Sequence, residues 1–177
     1  AFTAHHDVGI KGISLDQKVQ LINILKPYGK IFITTEKEIE PELEQYKLKI
    51  SPEKIHSLLY YATMFIGDSQ TMTSEAAVLG TPALRLNSFA KSISYLNEEE
   101  EKYGLTYSFL PYEFNKLINK LNELLLNPNL KENWIKRREV MLCEKIDVTM
   151  FWYWFIENLP ESPTYIMSDK NIWSKFK

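Results

Sequence analysis

The chain has 177 residues, 45% of them hydrophobic, which is enough for one sizeable core and too little for two ordinary domains. Its 21 Lys and Arg residues against 23 Asp and Glu residues give a net charge of -2, which argues against nucleic-acid binding and gives no general attraction to an anionic membrane. The single cysteine, Cys143, cannot form an internal disulfide, and no Cys and His residues have the spacing of zinc ligands. We therefore expect a cytoplasmic protein, without a metal or a bound cofactor, whose partner is a small polar ligand or another protein.

The first third of the chain shows one clear helix and two strand-like stretches. Ser14 and Gln17 have the spacing of a capping box, and apolar residues then recur at helical intervals until Pro27. The stretch KIFITT (30–35) is predicted to be a strand, and YKLKI (46–50) is a weaker candidate. The chain begins at Ala1 without a methionine, and we expect that further sequence precedes it.

The rest of the chain alternates strands with helices. Ser51 and Pro52 open one helix, and another runs from about Thr71 to Leu79, where Gly80 ends it in a left-handed conformation. Further strands are predicted at TMFIG (63–67), PALRL (82–86) and LTYSF (105–109), and further helices from Pro111, over about 129–143 and over about 147–159.

Strands that alternate with helices predict an α/β fold with a parallel sheet covered on both faces. If residues 1–4 are the end of a truncated first strand, about six strands fit the doubly wound, Rossmann-like order 3-2-1-4-5-6. The first and fourth strands are then neighbours, so the loops HHDVG (5–9) and GDSQT (67–71) meet at the binding crevice beyond the strand ends. Residues 1–159 are predicted to form this domain, and residues 160–177 an extended tail.

The loop that begins with Gly67 and Asp68 predicts an anion site. At the start of the following helix, backbone N–H groups lack partners within the helix and carry partial positive charge. Ser69, Gln70 and Thr71 add side-chain donors at the same place. This combination favours a bound phosphate.

Two further residues are candidates for ligand binding. Glu75 lies four residues after Thr71 on the same helix face, where its carboxylate can accept two hydrogen bonds from a vicinal diol such as a ribose. Arg85, in the strand PALRL, could contact a ligand phosphate or pair with Asp68 or Glu75. The alternative for the whole group is structural, because Ser and Thr often only cap a helix and Glu there complements the helix dipole.

The N-terminal loop supplies the candidate catalytic residues. An imidazole at the crevice could bind a phosphate or transfer a proton, and of His5 and His6 we assign His6 to the ligand, with Asp7 orienting it. The alternative is that one of these histidines only bonds the loop backbone. His56, inside a predicted helix, is interpreted as a partly buried structural residue.

Three segments closely resemble a prokaryotic family known as domain of unknown function 354. They are AHHDVG (4–9), FIGDSQTMTSEAAVLGTPALRLNSF (65–89) and EEEKYGL (99–105), and the likeness spans roughly residues 1–125. That family is similar to the UDP-N-acetylglucosamine 2-epimerases and to the GT-B glycosyltransferases. The resemblance implies that this chain is the nucleotide-binding, C-terminal half of a GT-B-type fold, which acts with a second, N-terminal domain.

The same resemblance implies roles for residues of the turn. Ser69 and Gln70 fall where the epimerases hold the phosphate of a UDP-sugar, and Glu75 falls on the glutamate that binds the ribose. The pair Gln70 and Thr71 replaces two glycines of the epimerase turn, and His6 and Asp7 match the longer polar run of the first epimerase loop only in part.

These observations predict a nucleotide-sugar-binding domain of a GT-B-like glycosyltransferase or of a sugar-nucleotide 2-epimerase-like protein. One alternative is a non-catalytic module that binds a ligand or a protein on the same fold. Another is a serine hydrolase, because GDS opens the signature of one esterase class; that chemistry needs a base beside Ser69, and no histidine follows His56.

The segment DVTMFWYWFIENLP (147–160) predicts a helix that is apolar nearly all round. Such a helix should be buried nearly all round, in the core or at the junction with the second domain. The alternatives are a homodimer contact and a peripheral seat at a membrane surface, where Trp and Tyr also concentrate. The acidic run NEEEEK (97–102) is interpreted as a solvated helix face.

Overall fold

A computed structural model describes residues 12–35 and 38–177 of the chain. The truncated first strand predicted for residues 1–4, and the candidate residues His5, His6 and Asp7, lie outside the described residues. The chain divides into two compact units, Ala1–Arg137 and Arg138–Lys177.

Helices account for most of the regular structure in the described part of the chain. In order, the helices and strands are α1 (Leu15–Leu25), α2 (Ile55–Tyr61), β1 (Phe65–Gly67), α3 (Gln70–Val78), β2 (Ala83–Leu86), α4 (Ser94–Glu101), β3 (Thr106–Phe109), α5 (Phe114–Leu125), α6 (Leu130–Glu144), α7 (Val148–Glu157) and α8 (Ser162–Ser168). Short 3₁₀ turns cover Pro41–Tyr46, Pro52–Lys54, Pro111–Glu113 and Ile172–Phe176.

The three strands form a parallel sheet in the order β1-β2-β3, with Gly67, Arg85 and Ser108 in register. Helix α3 connects the first two strands and α4 the next two, as parallel pairing requires. This confirms the predicted α/β class and fits a Rossmann-like arrangement.

The predicted count of about six strands is not what the described residues contain, since they form three. KIFITT contributes only an isolated parallel bridge between Ile33 and Lys47, and YKLKI adds no strand beyond that bridge. The Phe32 side chain is 54% exposed, so the β-rich composition of this stretch does not bury a strand face. Propensity alone was the basis of that prediction, and strands depend more on packing than on propensity.

The core of the first unit lies on both faces of β2. Ala83, Leu84 and Leu86 are fully buried, although consecutive strand residues point to opposite faces. Ala83 packs with Leu59 and Ala76 on the α3 face. Helix α6 packs beside β3, because the Tyr107 and Trp134 rings lie 6.2 Å apart, centroid to centroid.

Helix ends follow the predicted local chemistry. Ser14 and Gln17 form the predicted capping box, in which each side chain accepts a hydrogen bond from the other residue's backbone N–H. Gly80 has φ of 76°, the left-handed conformation predicted at the end of α3. Pro52 and Pro111 each begin a 3₁₀ turn that continues into a helix.

The second unit, Arg138–Lys177, includes regular structure where an extended tail was predicted. Residues 160–177 contain α8 and a further 3₁₀ turn, so the extended-tail prediction is wrong, and the division of the chain lies near residue 137 and not at 159. A proline lies in the first turn of α8, where a helix tolerates it. Ser162 anchors the start of α8, because its hydroxyl donates to the Phe155 carbonyl oxygen at 2.7 Å.

Helix α7 carries much of the aromatic surface of the second unit. Phe151 contacts Trp173 and Phe176, with ring centroids 5.4 and 5.5 Å away. However, no residue of α7 is buried, and Tyr153 is 70% exposed and Ile156 61% exposed. In the described structure α7 is therefore not part of the core, and its burial at a junction with a second domain stays a prediction. None of the described helices is both long and apolar enough to cross a membrane.

Candidate functional site

The turn between β1 and α3 is built by the hydroxyl groups that follow the strand. Ser69 is the N-cap residue of α3, with an extended backbone, and its Oγ accepts a hydrogen bond from the Met72 N–H at 3.3 Å. The Thr73 hydroxyl donates to the Ser69 carbonyl oxygen at 2.6 Å. The capping role considered for Ser69 is thus real, and it leaves the N–H groups of Gln70 and Thr71 at the helix end without partners inside the helix.

The end of β1 is shaped by the ring of Phe65. A Cβ placed on Gly67 would lie 2.5 Å from Cζ of Phe65, closer than any real contact of that kind. The ring of Phe65 therefore lies over Gly67 and takes the space of a side chain there. A glycine at this position lets the strand end next to its neighbour β2 without displacing the ring.

Asn87, directly after β2, ties the two neighbouring loops together. It is fully buried, and its Nδ2 donates to the Asp68 carbonyl oxygen at 2.8 Å. Its Oδ1 accepts from the Phe89 N–H at 3.0 Å, and its own N–H continues the ladder to the Phe109 carbonyl oxygen at 3.1 Å. One buried amide thus fixes the backbone that leads into the α3 N-terminus.

Glu75 lies one turn further along α3 and faces α2. Its Oε1 is 3.5 Å from Nε2 of His56, and the Glu75 side chain is 32% exposed while that of His56 is 61% exposed. The Glu75 side chain is therefore partly open to solvent. The prediction that His56 is partly buried is wrong, because its side chain lies at the surface, beside a candidate ligand-binding carboxylate.

Arg85 is not at the exposed edge of the sheet. Its side chain is fully buried, and Nη2 donates to the Ser108 hydroxyl on β3 at 2.9 Å. Its Nε and Nη1 atoms have no hydrogen-bond partner in the described part of the chain. Burial lowers the pKa of the Arg85 guanidinium, and the charges of α4 residues, chiefly Glu100, offset this only in part.

The structure thus brings together most of the predicted binding residues and separates one. Gly67, Asp68, Ser69 and Gln70 are half-buried in one turn, with the exposed Thr71 beside them. Glu75 lies on the next turn of the same helix, whereas Arg85 is enclosed and bonded toward β3. The sequence left open a salt bridge of Arg85 to Asp68 or Glu75, and the hydrogen bond that the structure shows for its guanidinium goes instead to the Ser108 hydroxyl.

Two features of this region escaped sequence reasoning. Asn87 directly follows the strand PALRL in the sequence. A polar residue placed directly after a buried strand, next to the candidate loop, is the sequence signal that could have marked it as part of the site. Glu99 belongs to the run interpreted as a solvated face, yet it is only 7% exposed and accepts a hydrogen bond from the Ser74 hydroxyl of α3.

The described residues contain no cluster of three or more His, Cys, Asp or Glu side chains that could hold a metal ion. Comparison with protein-family models, with curated proteins and with solved structures finds no match to this chain. The chemistry of the site must therefore be argued from its own residues: hydrogen-bond donors at a helix N-terminus, a nearby carboxylate, and a buried amide that holds the turn in place.

Proposed function

We propose that this chain is the nucleotide-sugar-binding domain of a GT-B-like glycosyltransferase or of a sugar-nucleotide 2-epimerase-like protein. The observation that supports this is the α3 N-terminus, which opens at the carboxyl end of a parallel strand with Ser69, Gln70 and Thr71 around it. Ligands of open α/β sheets bind beyond that end of the strands, and helix N-termini favour anions.

In this proposal the diphosphate of the ligand lies at the start of α3. The N–H groups of Gln70 and Thr71 donate to phosphate oxygens, and the Thr71 hydroxyl adds a donor. The Ser69 oxygen already accepts from Met72, but its own hydrogen is available to a phosphate. A helix end that stabilises the negative charge of the diphosphate does the work that a metal ion does in other diphosphate-binding sites.

Glu75 is assigned to the ribose of the same ligand. At a rise of about 1.5 Å per residue, four residues separate Thr71 and Glu75 by about 6 Å along the helix axis. A nucleoside spans a comparable distance between its 5′ phosphate and its 2′,3′ diol. A phosphate at the helix end therefore brings the diol to the Glu75 carboxylate, which is 32% exposed and can accept both hydroxyl hydrogens.

Catalysis is assigned to His6 and Asp7 on the sequence alone, with His6 as the proton-transfer group and Asp7 orienting it. A UDP-linked sugar is the proposed substrate. The second α/β domain that the resemblance implies would supply the acceptor site, and a homodimer through the exposed face of α7 is the alternative partner.

A non-catalytic binding module on the same fold is the second candidate. Gln70 and Thr71 favour it, because their side chains narrow the approach to the backbone where the epimerase turn has glycines. The serine-hydrolase alternative is weakened by the role of Ser69 as helix cap, because its side-chain oxygen already accepts a hydrogen bond from the Met72 N–H.

The test is a titration of the chain with UDP, UDP-N-acetylglucosamine and other nucleotides, in which the melting temperature of the protein is measured at each ligand concentration. A ligand at ten times its Kd stabilises the folded state by about 1.4 kcal/mol, which raises the melting temperature by roughly 3 to 6 °C for a domain of this size. Glu75→Ala and His6→Ala should reduce this shift. Glu101→Ala, which removes an exposed carboxylate at the end of α4, is the matched control and should keep it.

Indifference to every nucleotide would refute the proposal and favour the non-catalytic module. A shift with UDP that survives Glu75→Ala would keep nucleotide binding but remove Glu75 from the site.

A further inference from the structure

The contact between His56 and Glu75 joins two helices at the edge of the proposed ligand site. The two residues come from α2 and α3, and Nε2 of His56 lies 3.5 Å from Oε1 of Glu75, within ion-pair range. Among the described residues, His56 is the one whose side chain makes a polar contact with the Glu75 carboxylate. At this distance the His56 ring lies against one carboxylate oxygen and restricts the direction in which the carboxylate points, while both oxygens keep acceptor sites for a ligand.

The orientation of the Glu75 carboxylate matters more here than the strength of its contact with His56. Both side chains are partly exposed, so the pair itself contributes little to folding stability. A glutamate on a helix surface otherwise samples several staggered rotamers, and a diol is bound by both carboxylate oxygens only in some of them. A neighbour that selects one of these rotamers lowers the entropic cost of binding the diol.

We propose that His56 is a positioning residue, which holds the Glu75 carboxylate toward the ligand diol and so sets the preference for a ribonucleotide over a deoxyribonucleotide. This inference rests on the proposed nucleotide-binding function. It differs from the interpretation of His56 as a structural residue, because a structural role would affect stability without changing the choice between two ligands.

The experiment measures the Kd of UDP and of 2′-deoxyuridine diphosphate by isothermal titration calorimetry, with the full chain. In the wild type the ribonucleotide should bind about tenfold more tightly, the effect of one hydrogen bond to a charged group. His56→Ala should reduce this ratio by about threefold to fivefold, the upper range of the effect of one exposed polar side-chain pair. His56→Gln keeps a side-chain N–H donor and should restore part of the ratio.

The control is Ser57→Ala, which alters the next exposed residue of α2 and should leave the ratio unchanged. Thermal unfolding of each variant checks that the fold is intact, which the exposure of His56 leads us to expect.

The outcomes separate this inference from the function on which it rests. If His56→Ala binds both nucleotides with an unchanged ratio, or weakens both equally, His56 does not position Glu75 and the proposed function stands. If the wild type binds neither nucleotide, or if Glu75→Ala keeps the full preference for the ribonucleotide, the proposed ribose site itself is refuted.

Discussion

Replacing Asn87 with alanine tests whether the turn before α3 is held from β2. The substitution removes the bonds of Nδ2 to the Asp68 carbonyl oxygen and of Oδ1 to the Phe89 N–H, and it leaves the backbone bond to Phe109 in place. Each bond contributes about 1 kcal/mol net, and the side chain is fully buried, so we expect a loss of about 2 to 3 kcal/mol in the free energy of unfolding.

Two further substitutions sharpen this prediction. Asn87→Asp keeps an acceptor for Phe89 but turns an oxygen toward the Asp68 carbonyl, so at pH 7 it should destabilise at least as much as alanine. A buried acid with a raised pKa binds its proton more tightly in the folded state, so this variant should lose stability as the pH rises. Ser92→Ala removes an exposed hydrogen bond in the same loop and should cost less than about 0.5 kcal/mol.

Urea unfolding followed by circular dichroism gives these free energies, with an unchanged dependence on urea as the check for two-state behaviour. The nucleotide-induced rise in melting temperature should also decrease in Asn87→Ala, because the backbone that carries Ser69 is no longer fixed. An Asn87→Ala protein as stable as Ser92→Ala would show that the amide does not hold this turn.

Three other predictions concern single residues. Gly80→Ala should cost about 1 to 2 kcal/mol in urea unfolding, because φ is 76° there, and an unchanged stability would contradict the strain argument. The hydrogen bond from Lys116 is the chief cause that holds the pKa of Glu113 below its usual range. The stability that this bond contributes is therefore present above the unfolded-state pKa of Glu113 and is lost as the pH falls through its lower folded-state pKa. Glu113→Gln should flatten the acid dependence of stability, and an acid unfolding curve identical to that of the wild type would refute this prediction. Arg85→Met should leave the free energy of unfolding within about 1 kcal/mol of the wild type or raise it, because the buried guanidinium has two nitrogens without hydrogen-bond partners among the described residues. A loss of several kcal/mol in urea unfolding would show instead that the charge of Arg85 is well compensated.

The parts of the fold that the sequence predicted are those set by local chemistry. The three observed strands lie inside three of the apolar runs, and the cap at Ser14 and the left-handed Gly80 follow from a few neighbouring residues. The turn at Ser69 was predictable for the same reason, because a hydroxyl after a buried strand caps the next helix.

What the sequence could not predict depends on contacts between distant residues. Its place in the strand PALRL made Arg85 a candidate for contact with a ligand phosphate, but only the fold shows that its side chain is enclosed, with α4 charges near the guanidinium. Glu99 resembles its neighbours in an acidic run, and its burial against Ser74 depends on how two helices meet. The pairing of His56 with Glu75 is of the same kind, since nothing in either helix alone specifies it.

The position of the Phe65 ring over Gly67 has an evolutionary consequence. With Cζ only 2.5 Å from where a Cβ would stand, alanine at position 67 is acceptable only if the ring moves or is first replaced by a smaller side chain. The two positions should therefore show strong epistasis in a deep mutational scan. A substitution that is harmful alone at 67 should be tolerated in a background that carries a shorter residue at 65, so the order in which the two changes arise would decide which sequences this turn can reach.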